Sequence, residues 1–398
     1  MVSGSDIAWM LAATCLVFLM TPGLSFFYGG MVRKKNIIST MLQSIISLGV
    51  ISVLWVIVGF SLAFGDSIGG FIGNPLTFMM FDGVGAETNE QLSPNMPLIL
   101  FAMFQLKFAI ITPALITGGF AERINFKAYL IFITLFTIFI YAPLCHMTWH
   151  PDGLLRNLGV LDFAGGTVVH MSAGLAALAG AIVLGKRTNS DNVPVNIPYV
   201  ILGTAMLWFG WFGFNAGSSF GANPEAAMAF ATTNTASGMA MLTWVFIELV
   251  TGKKVSALGV CIAAVVGLVA ITPAAGFVTI GQSLIIGSVA SLVSYFAIKY
   301  KEKTTLDDTL DVFPSHGVGG MVGMILTGVF AKDVGLVYGK WDTFLIHIAA
   351  LLGVTIFVLV ISFLLYKITN LFVALRVTEE EEEAGLDISQ HNEQYLNI

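Results

Sequence analysis

Eleven stretches of this chain are long and apolar enough to cross a lipid bilayer. In approximate terms they run 7–30, 38–64, 97–120, 128–148, 163–184, 197–217, 228–250, 255–272, 280–298, 313–331 and 343–368. A helix needs roughly 20 apolar residues to traverse the hydrocarbon core. Lipid offers no hydrogen bonds to the backbone, so each spanning segment must satisfy its own N–H and C=O groups. The expectation is an all-α polytopic membrane protein. Charged residues make up 11% of the chain, well under the roughly 25% of a soluble domain, and the mean hydropathy is +0.86. The 42 glycines suit helices that pack closely within lipid. Cys15, Cys145 and Cys261 all lie in apolar runs and suggest neither a disulfide framework nor zinc spacing. The net charge of −6 owes much to "TEEEEEAGLD" near the C-terminus, so no nucleic-acid surface is implied. The opening "MVSGSDIAW" lacks the positive region of a signal peptide, and the first span is expected to be retained.

Orientation follows from the basic residues, which favour cytoplasmic loops. Of the 18 Lys and Arg, fourteen follow odd-numbered spans or lie in the tail, whereas Arg156, Lys332 and Lys340 follow even-numbered ones. Lys107 lies inside the third span. A miscounted span would scramble this alternation, so the N-terminus is expected outside and the C-terminus inside. The chain divides into a transmembrane domain, 1–368, and a cytoplasmic tail, 369–398.

A short repeat is also visible. "ITPAL" at Ile111–Leu115 in the third span reappears as "ITPAA" at Ile271–Ala275 in the eighth. Five spans is an odd number, so a duplicated five-helix unit would be inverted in the membrane, with the eleventh helix left over. Inverted repeats place substrate sites near the midplane between the halves. The fifth span carries His170 in "DFAGGTVVHMSAG", and its repeat mate, the tenth, carries His316 in "DVFPSHGVGGMVG". Ionisable groups at membrane depth are costly. Two imidazoles can share one hydrogen and remain neutral. The alternatives are two unrelated, internally satisfied histidines, or a metal site drawing on His146 and His150 of "HMTWH"; no Cys or Glu cluster supports a metal.

The motifs "DFAGGTVVHMSAG", "WFGFNAGS", "FAERINF", "VGLVAITPAAGF" and "LRVTEEEEEAGLD" resemble, in order and spacing, those of the ammonium transporter family (Amt/Mep/Rh), in its bacterial and archaeal Amt branch. The resemblance implies a homotrimer of eleven-helix protomers in the plasma (inner) membrane, each with its own pore, and no cofactor or metal. It assigns His170 and His316 to a twin-histidine pore lining, with Trp211 lower in the same pore. Phe108 and Phe214 match two stacked phenylalanines that close the outer mouth. Trp149 and Ser218, with Phe108 and nearby Phe104, match an outer ammonium recruitment site, and Asp162 matches an aspartate that supports it without direct contact. A trimeric PII-type signal protein is the implied cytoplasmic partner.

Ammonium and potassium have nearly the same radius, so size cannot separate them; only ammonium donates hydrogen bonds and can lose a proton. Aromatic faces attract a cation by about 0.5–2 kcal/mol, while an apolar pore with neutral imidazoles excludes a bare ion. Two departures from the family stand out: Ile262 where many relatives carry serine, and Asn392 where glycine is usual. Lys107, beside Phe108, is expected to pair or snorkel away from the path. The rival functions are a passive ammonia gas channel, an ammonium sensor acting through a cytoplasmic partner, and a membrane metalloenzyme.

Overall fold

The computed structural model describes residues 2–191 and 193–395; Met1 and residues 396–398, the end of the expected tail, lie outside them. Every one of the eleven expected segments falls on a helix. In chain order these are α1 Gly4–Met31, α2 Lys34–Phe64, α3 Leu98–Phe120, α4 Phe126–Asn157, α5 Gly166–Leu184 and α6 Ile197–Gly217. They continue as α7 Pro224–Val250, α8 Ala257–Ile271, α9 Ile280–Lys301, α10 Phe313–Phe330 and α11 Trp341–Phe372. Among the described residues nine of these helices are both long and apolar enough to cross a membrane, and the chain is a multi-pass membrane protein. The two exceptions have plain causes. α7 carries Thr232, Thr233, Asn234, Thr235 and Ser237, which dilute its hydropathy over 27 residues. α8 has only 15 residues, and from Cys261 to Ile271 it is wholly buried in protein. The small sheets, Ser67–Ile68 with Ile72–Gly73 and Thr88–Asn89 with Ser93–Pro97, belong to connections at one end of the bundle.

Helix α1 packs along α6, α7 lies against α8 and α9, and α5 sits between α10 and α11. Four helices contain π turns: Trp55–Gly59 and Thr137–Tyr141 lie within α2 and α4, and Gly166–Met171 and Phe313–Val318 begin α5 and α10. A π turn inserts one residue and re-aims the side chains around it, and such turns recur at functional sites. The latter two contain His170 and His316.

The end of the bundle opposite the small sheets is held by buried charges. Glu122 takes Arg33 at 2.7 Å and Arg187 at 2.8 Å, and Arg187 also pairs with Asp307 at 2.8 Å. Burial works to raise the Asp307 carboxyl, but hydrogen bonds from Arg187 and the charges of Arg123 and Arg187 outweigh it and bring it down to about 2. Removing one partner of such a cluster leaves an uncompensated buried charge, at a cost of about 3–5 kcal/mol.

The tail docks here on its own chain. The Asn125 N–H donates to the Leu375 carbonyl at 2.8 Å, and the Val377 N–H to the Arg123 carbonyl at 3.1 Å. Thr378 and Glu381 form a capping box that starts helix α12, Glu379–Ala384. Most of the acidic run is solvent-facing, as a run of like charges prefers, but Glu382 is buried. Its carboxylate accepts from the Thr188 N–H and from Arg376, both at 2.7 Å. Gly385 turns the chain with φ +99°, and α13, Leu386–His391, follows. Leu386 N–H donates to the Asn36 side chain, and Asp387 accepts from the Ser39 N–H, both at 2.8 Å. Asn392 ends α13 in the left-handed region at φ 55°, a conformation asparagine tolerates better than most residues. Glu382→Ala is expected to remove the buried acceptor of two hydrogen bonds, one of them charge-assisted, weakening docking by about 1–3 kcal/mol. Limited proteolysis should then cut residues 378–395 faster than in the parent chain; an unchanged cleavage rate would show the Glu382 contacts to be dispensable.

Candidate functional site: a histidine-lined cavity beneath an aromatic vestibule

At the end bearing the small sheets, the bundle opens into a vestibule of about 570 Å³ whose lining includes Gln105, Phe108, Trp149, Asp162 and Ser218. Its floor is aromatic. The Phe108 ring lies over the Phe214 ring at 4.1 Å between centroids and 30° between planes, and Trp149 stands edge-on to Phe108 at 5.8 Å. Beyond Phe214 lies a narrow cavity of about 10 Å³, lined by Leu24, Val265, Trp211, Phe214, His170 and His316. That is about the volume of a single water-sized probe.

Asp162 organises the start of α5. One carboxylate oxygen accepts from the Gly165 and Gly166 N–H groups at 2.8 and 2.6 Å, and the other from the Thr167 N–H and hydroxyl at 2.8 and 2.5 Å. These are the orphan donors of a helix beginning. Its main-chain carbonyl accepts from the Trp149 indole N–H at 3.0 Å, so one residue ties the vestibule tryptophan to the helix of His170. Ser218 caps α6 and donates its hydroxyl hydrogen to the Phe214 carbonyl at 2.8 Å. The hydrogen is thereby used, and the lone pairs are left as acceptors.

The two imidazoles meet Nδ1 to Nδ1 at 3.3 Å. One must donate to the other's lone pair, so a shared hydrogen requires at least one neutral ring and is met by two. His170 Nε2 has no hydrogen-bond partner among the described residues. Its ring stacks on Trp211 at 5.3 Å, and the Trp211 indole N–H is held by Thr272 at 2.9 Å. The approach depends on glycine: a Cβ on Gly174 would lie 2.1 Å from the Gly317 nitrogen, so α5 and α10 cross backbone to backbone immediately beyond the histidines.

Of the nine residues singled out in the sequence, Trp149, Ser218, Phe108 and Asp162 line the vestibule, and Phe214, His170, His316 and Trp211 line the cavity below. Phe104 stands behind them. Its ring packs edge-on to Phe108 at 4.9 Å and to Phe220 at 5.9 Å, and it is fully buried. One position along, Gln105 does line the vestibule, and its Oε1 has no partner among the described residues. A lone amide in an otherwise apolar stretch of α3 was its signal. Asp308 was also overlooked. It accepts from the Val312 and Phe313 N–H groups at 3.1 and 2.8 Å, as Asp162 does for its own helix. Each aspartate precedes its histidine by eight residues, a spacing the sequence displays. Burial, the largest influence, raises the Asp308 carboxyl to about 6 despite the opposing charge of Lys301.

His146 and His150 stack ring on ring at 4.3 Å and use their nitrogens locally, on the Ala63 carbonyl, the Ser67 hydroxyl and the Asp152 N–H. Among the described residues no three His, Cys, Asp or Glu side chains come together as metal ligands. Val265, rather than Ile262, meets the cavity.

Comparison with known proteins agrees along the whole chain. The model of the Ammonium Transporter Family matches residues 8–395. An ammonium transporter of Aquifex aeolicus is 45% identical over 98% of this chain and 93% of its own length. The ammonium transporter Amt1 of Archaeoglobus fulgidus is 41% identical over 98% and 99%. Among solved structures, Mep2 of Saccharomyces cerevisiae superposes with a TM-score of 0.90 at 33% identity, covering 96% of this chain and 89% of that one. A sensor Amt protein does so at 0.89 and 30%, covering 97% and 98%. Helices, motifs and relatives converge, and the chain belongs to the ammonium transporter family.

Proposed function

We propose that the chain recruits ammonium in the vestibule, strips it of a proton near Phe108 and Phe214, and conducts ammonia past His170 and His316 into the cytoplasm. The observation that carries this reading is the pair of imidazoles sharing one hydrogen in an apolar cavity beneath a lid of two rings. Ammonium exchanges water for the lone pairs of Ser218 and Gln105 and for the ring faces of Trp149 and Phe108. Phe104 acts from behind, holding Phe108 in place. Asp162 supports the recruitment site through Trp149, its carboxylate being fully engaged at α5. Beneath the rings a bare cation loses its hydration and gains no counter-charge, whereas neutral ammonia donates to or accepts from the imidazole nitrogens. Potassium has no neutral form and is refused.

The same reading includes eleven spanning helices with the N-terminus outside, arranged as two inverted five-helix repeats plus a final helix. Its support is the matched pair of aspartate caps, π turns and histidines on α5 and α10. It includes a homotrimer in the plasma membrane, and a cytoplasmic face where the docked tail couples neighbouring protomers and a PII-type protein binds. Current recording from proteoliposomes on a supported membrane after an ammonium jump tests the core of it. A transient inward current is expected, because the proton released above the rings crosses inward by a route separate from the ammonia; a silent membrane with ammonia flux would mean the proton is returned to the outside, as in a gas channel. Silence in both would favour sensing, which the likeness to a sensor Amt protein makes the reading to set against transport.

Phe214 sits between vestibule and histidines, 6.0 Å from the His170 ring. Phe214→Leu is expected to cut the ammonium current at least tenfold, because the ring takes part in deprotonation. A passive plug would leak instead. Full current with unchanged selectivity in this variant would remove Phe214 from the mechanism.

A further inference from the structure

Among the described residues, Lys107 and Asn234 face out of the bundle at membrane depth, away from the transport path. Lys107 is partly exposed on α3, in a stripe with Ile99 and Met103 spaced four residues apart. Its ammonium lies 5.4 Å from the centre of the Phe18 ring on α1, and among the described residues no oxygen accepts from it. Asn234 is exposed on α7, and its amide makes no hydrogen bond among the described residues; its neighbours Thr232 and Thr233 face inward and are satisfied. Hydrocarbon can satisfy neither group.

The two lie at the same depth. Near the vestibule end, the Ser3 N–H donates to the Asn95 carbonyl at 3.1 Å and the Ala222 N–H to Asp6 at 2.8 Å, which sets the beginnings of α1, α3 and α7 at one level. Phe18 is twelve residues beyond Asp6, and Asn234 is twelve beyond Ala222. With a rise of about 1.5 Å per residue, each is roughly 15–18 Å in from that level. The lysine therefore does not reach back to the headgroups of the vestibule side; its ammonium rests against a ring near mid-bilayer. The two faces are also separate: α6 packs against α1 on one side and α7 on the other, and stands between them. One turn beyond Asn234, a Cβ on Gly238 would meet nothing within 4 Å. A small residue there lets a neighbouring helix come close.

We propose that Lys107 of one copy donates to the Asn234 side-chain oxygen of the next copy, joining two unlike faces of the protomer in a ring-closing contact. Lysine has only donors and the asparagine carbonyl is an acceptor, so each group answers the other's unmet need. A contact between different patches on identical chains generates a closed ring when the rotation permits, and three copies satisfy every such pair. This rests on the homotrimer proposed above and names the residues that hold it.

Lysine is too long for the paired positions to be bridged by a disulfide, so the test uses a short, flexible bis-methanethiosulfonate. Lys107→Cys and Asn234→Cys are combined in a Cys15→Ser background, which removes the exposed natural thiol. Treated in native membranes, the double-cysteine protein is expected to run as covalent dimer and trimer, while either single-cysteine protein stays monomeric on the gel. In parallel, Asn234→Leu and Lys107→Met should each lower the temperature at which the detergent-solubilised oligomer dissociates by several degrees, and the double substitution should lower it little further. A parent protein that is trimeric by light scattering, with both introduced thiols reactive yet no covalent trimer, overturns the Lys107–Asn234 pairing and leaves the trimer standing. A monomeric parent removes both. Unaltered dissociation in both single variants would likewise overturn the pairing.

Discussion

His170→Asp is expected to turn the pore into one that admits potassium. The cavity has apolar walls and two imidazoles that share one hydrogen and supply no counter-charge, so a potassium ion entering it would lose hydration worth several kcal/mol with nothing in return. A fixed carboxylate about 4 Å from the path returns about 4 kcal/mol at an effective dielectric near 20. That corresponds to roughly three orders of magnitude in occupancy by 1.4 kcal/mol per decade. Rubidium uptake into proteoliposomes should therefore rise at least a hundredfold, and ammonium should begin to compete with potassium. His316→Asp should behave alike, because the two imidazoles face one cavity. Replacement by Ala adds no charge and should mainly impair flux. A His170→Asp protein that carries ammonium normally and still rejects rubidium would refute the assignment of this cavity as the pore.

Asp162→Ala is expected to abolish transport through structure rather than through substrate contact. The carboxylate accepts four hydrogen bonds at the start of α5. Without it, three buried N–H groups lose their partner, each at about 1–3 kcal/mol, so a loss of at least about 3 kcal/mol is expected. The π turn that carries His170 begins at Gly166, inside this cradle, so loosening it moves the imidazole. Asp162→Asn keeps one oxygen acceptor and should retain part of both stability and current. The check is a paired measurement of thermal unfolding and ammonium current. Wild-type current in the Ala variant would show that the carboxylate is not needed to position the pore.

The residues legible in the sequence were those whose chemistry is unusual for their surroundings. A histidine among glycines and valines stands out because hydration is absent there, and both histidines that meet in the cavity stood out this way. Asp308 could have been found by the eight-residue spacing it shares with Asp162, but an aspartate outside a span looks ordinary until its partners are seen. Phe104 and Gln105 show the limit of local reading. Neighbours on a helix differ by about 100° in direction, so which of the two meets the vestibule depends on how α3 is rotated against α1 and α6. The tail shows another limit. Five successive glutamates read as a solvated extension, and Glu379, Glu380 and Glu383 are exposed, but the capping box at Thr378 rotates Glu382 towards Thr188 and Arg376.

The all-helical class, the order of the apolar segments and the lipid environment were determined by the sequence alone, because each long apolar segment must satisfy its backbone hydrogen bonds within itself. What only the tertiary structure decided is the register between helices. The contact between His170 and His316 spans 146 residues and depends on the glycine crossing of α5 over α10. The stacking of Phe108 on Phe214 depends on the mutual rotation of α3 and α6. Such registers come from packing ridges and small residues of distant segments against one another, and no local pattern in either segment encodes its partner's rotation.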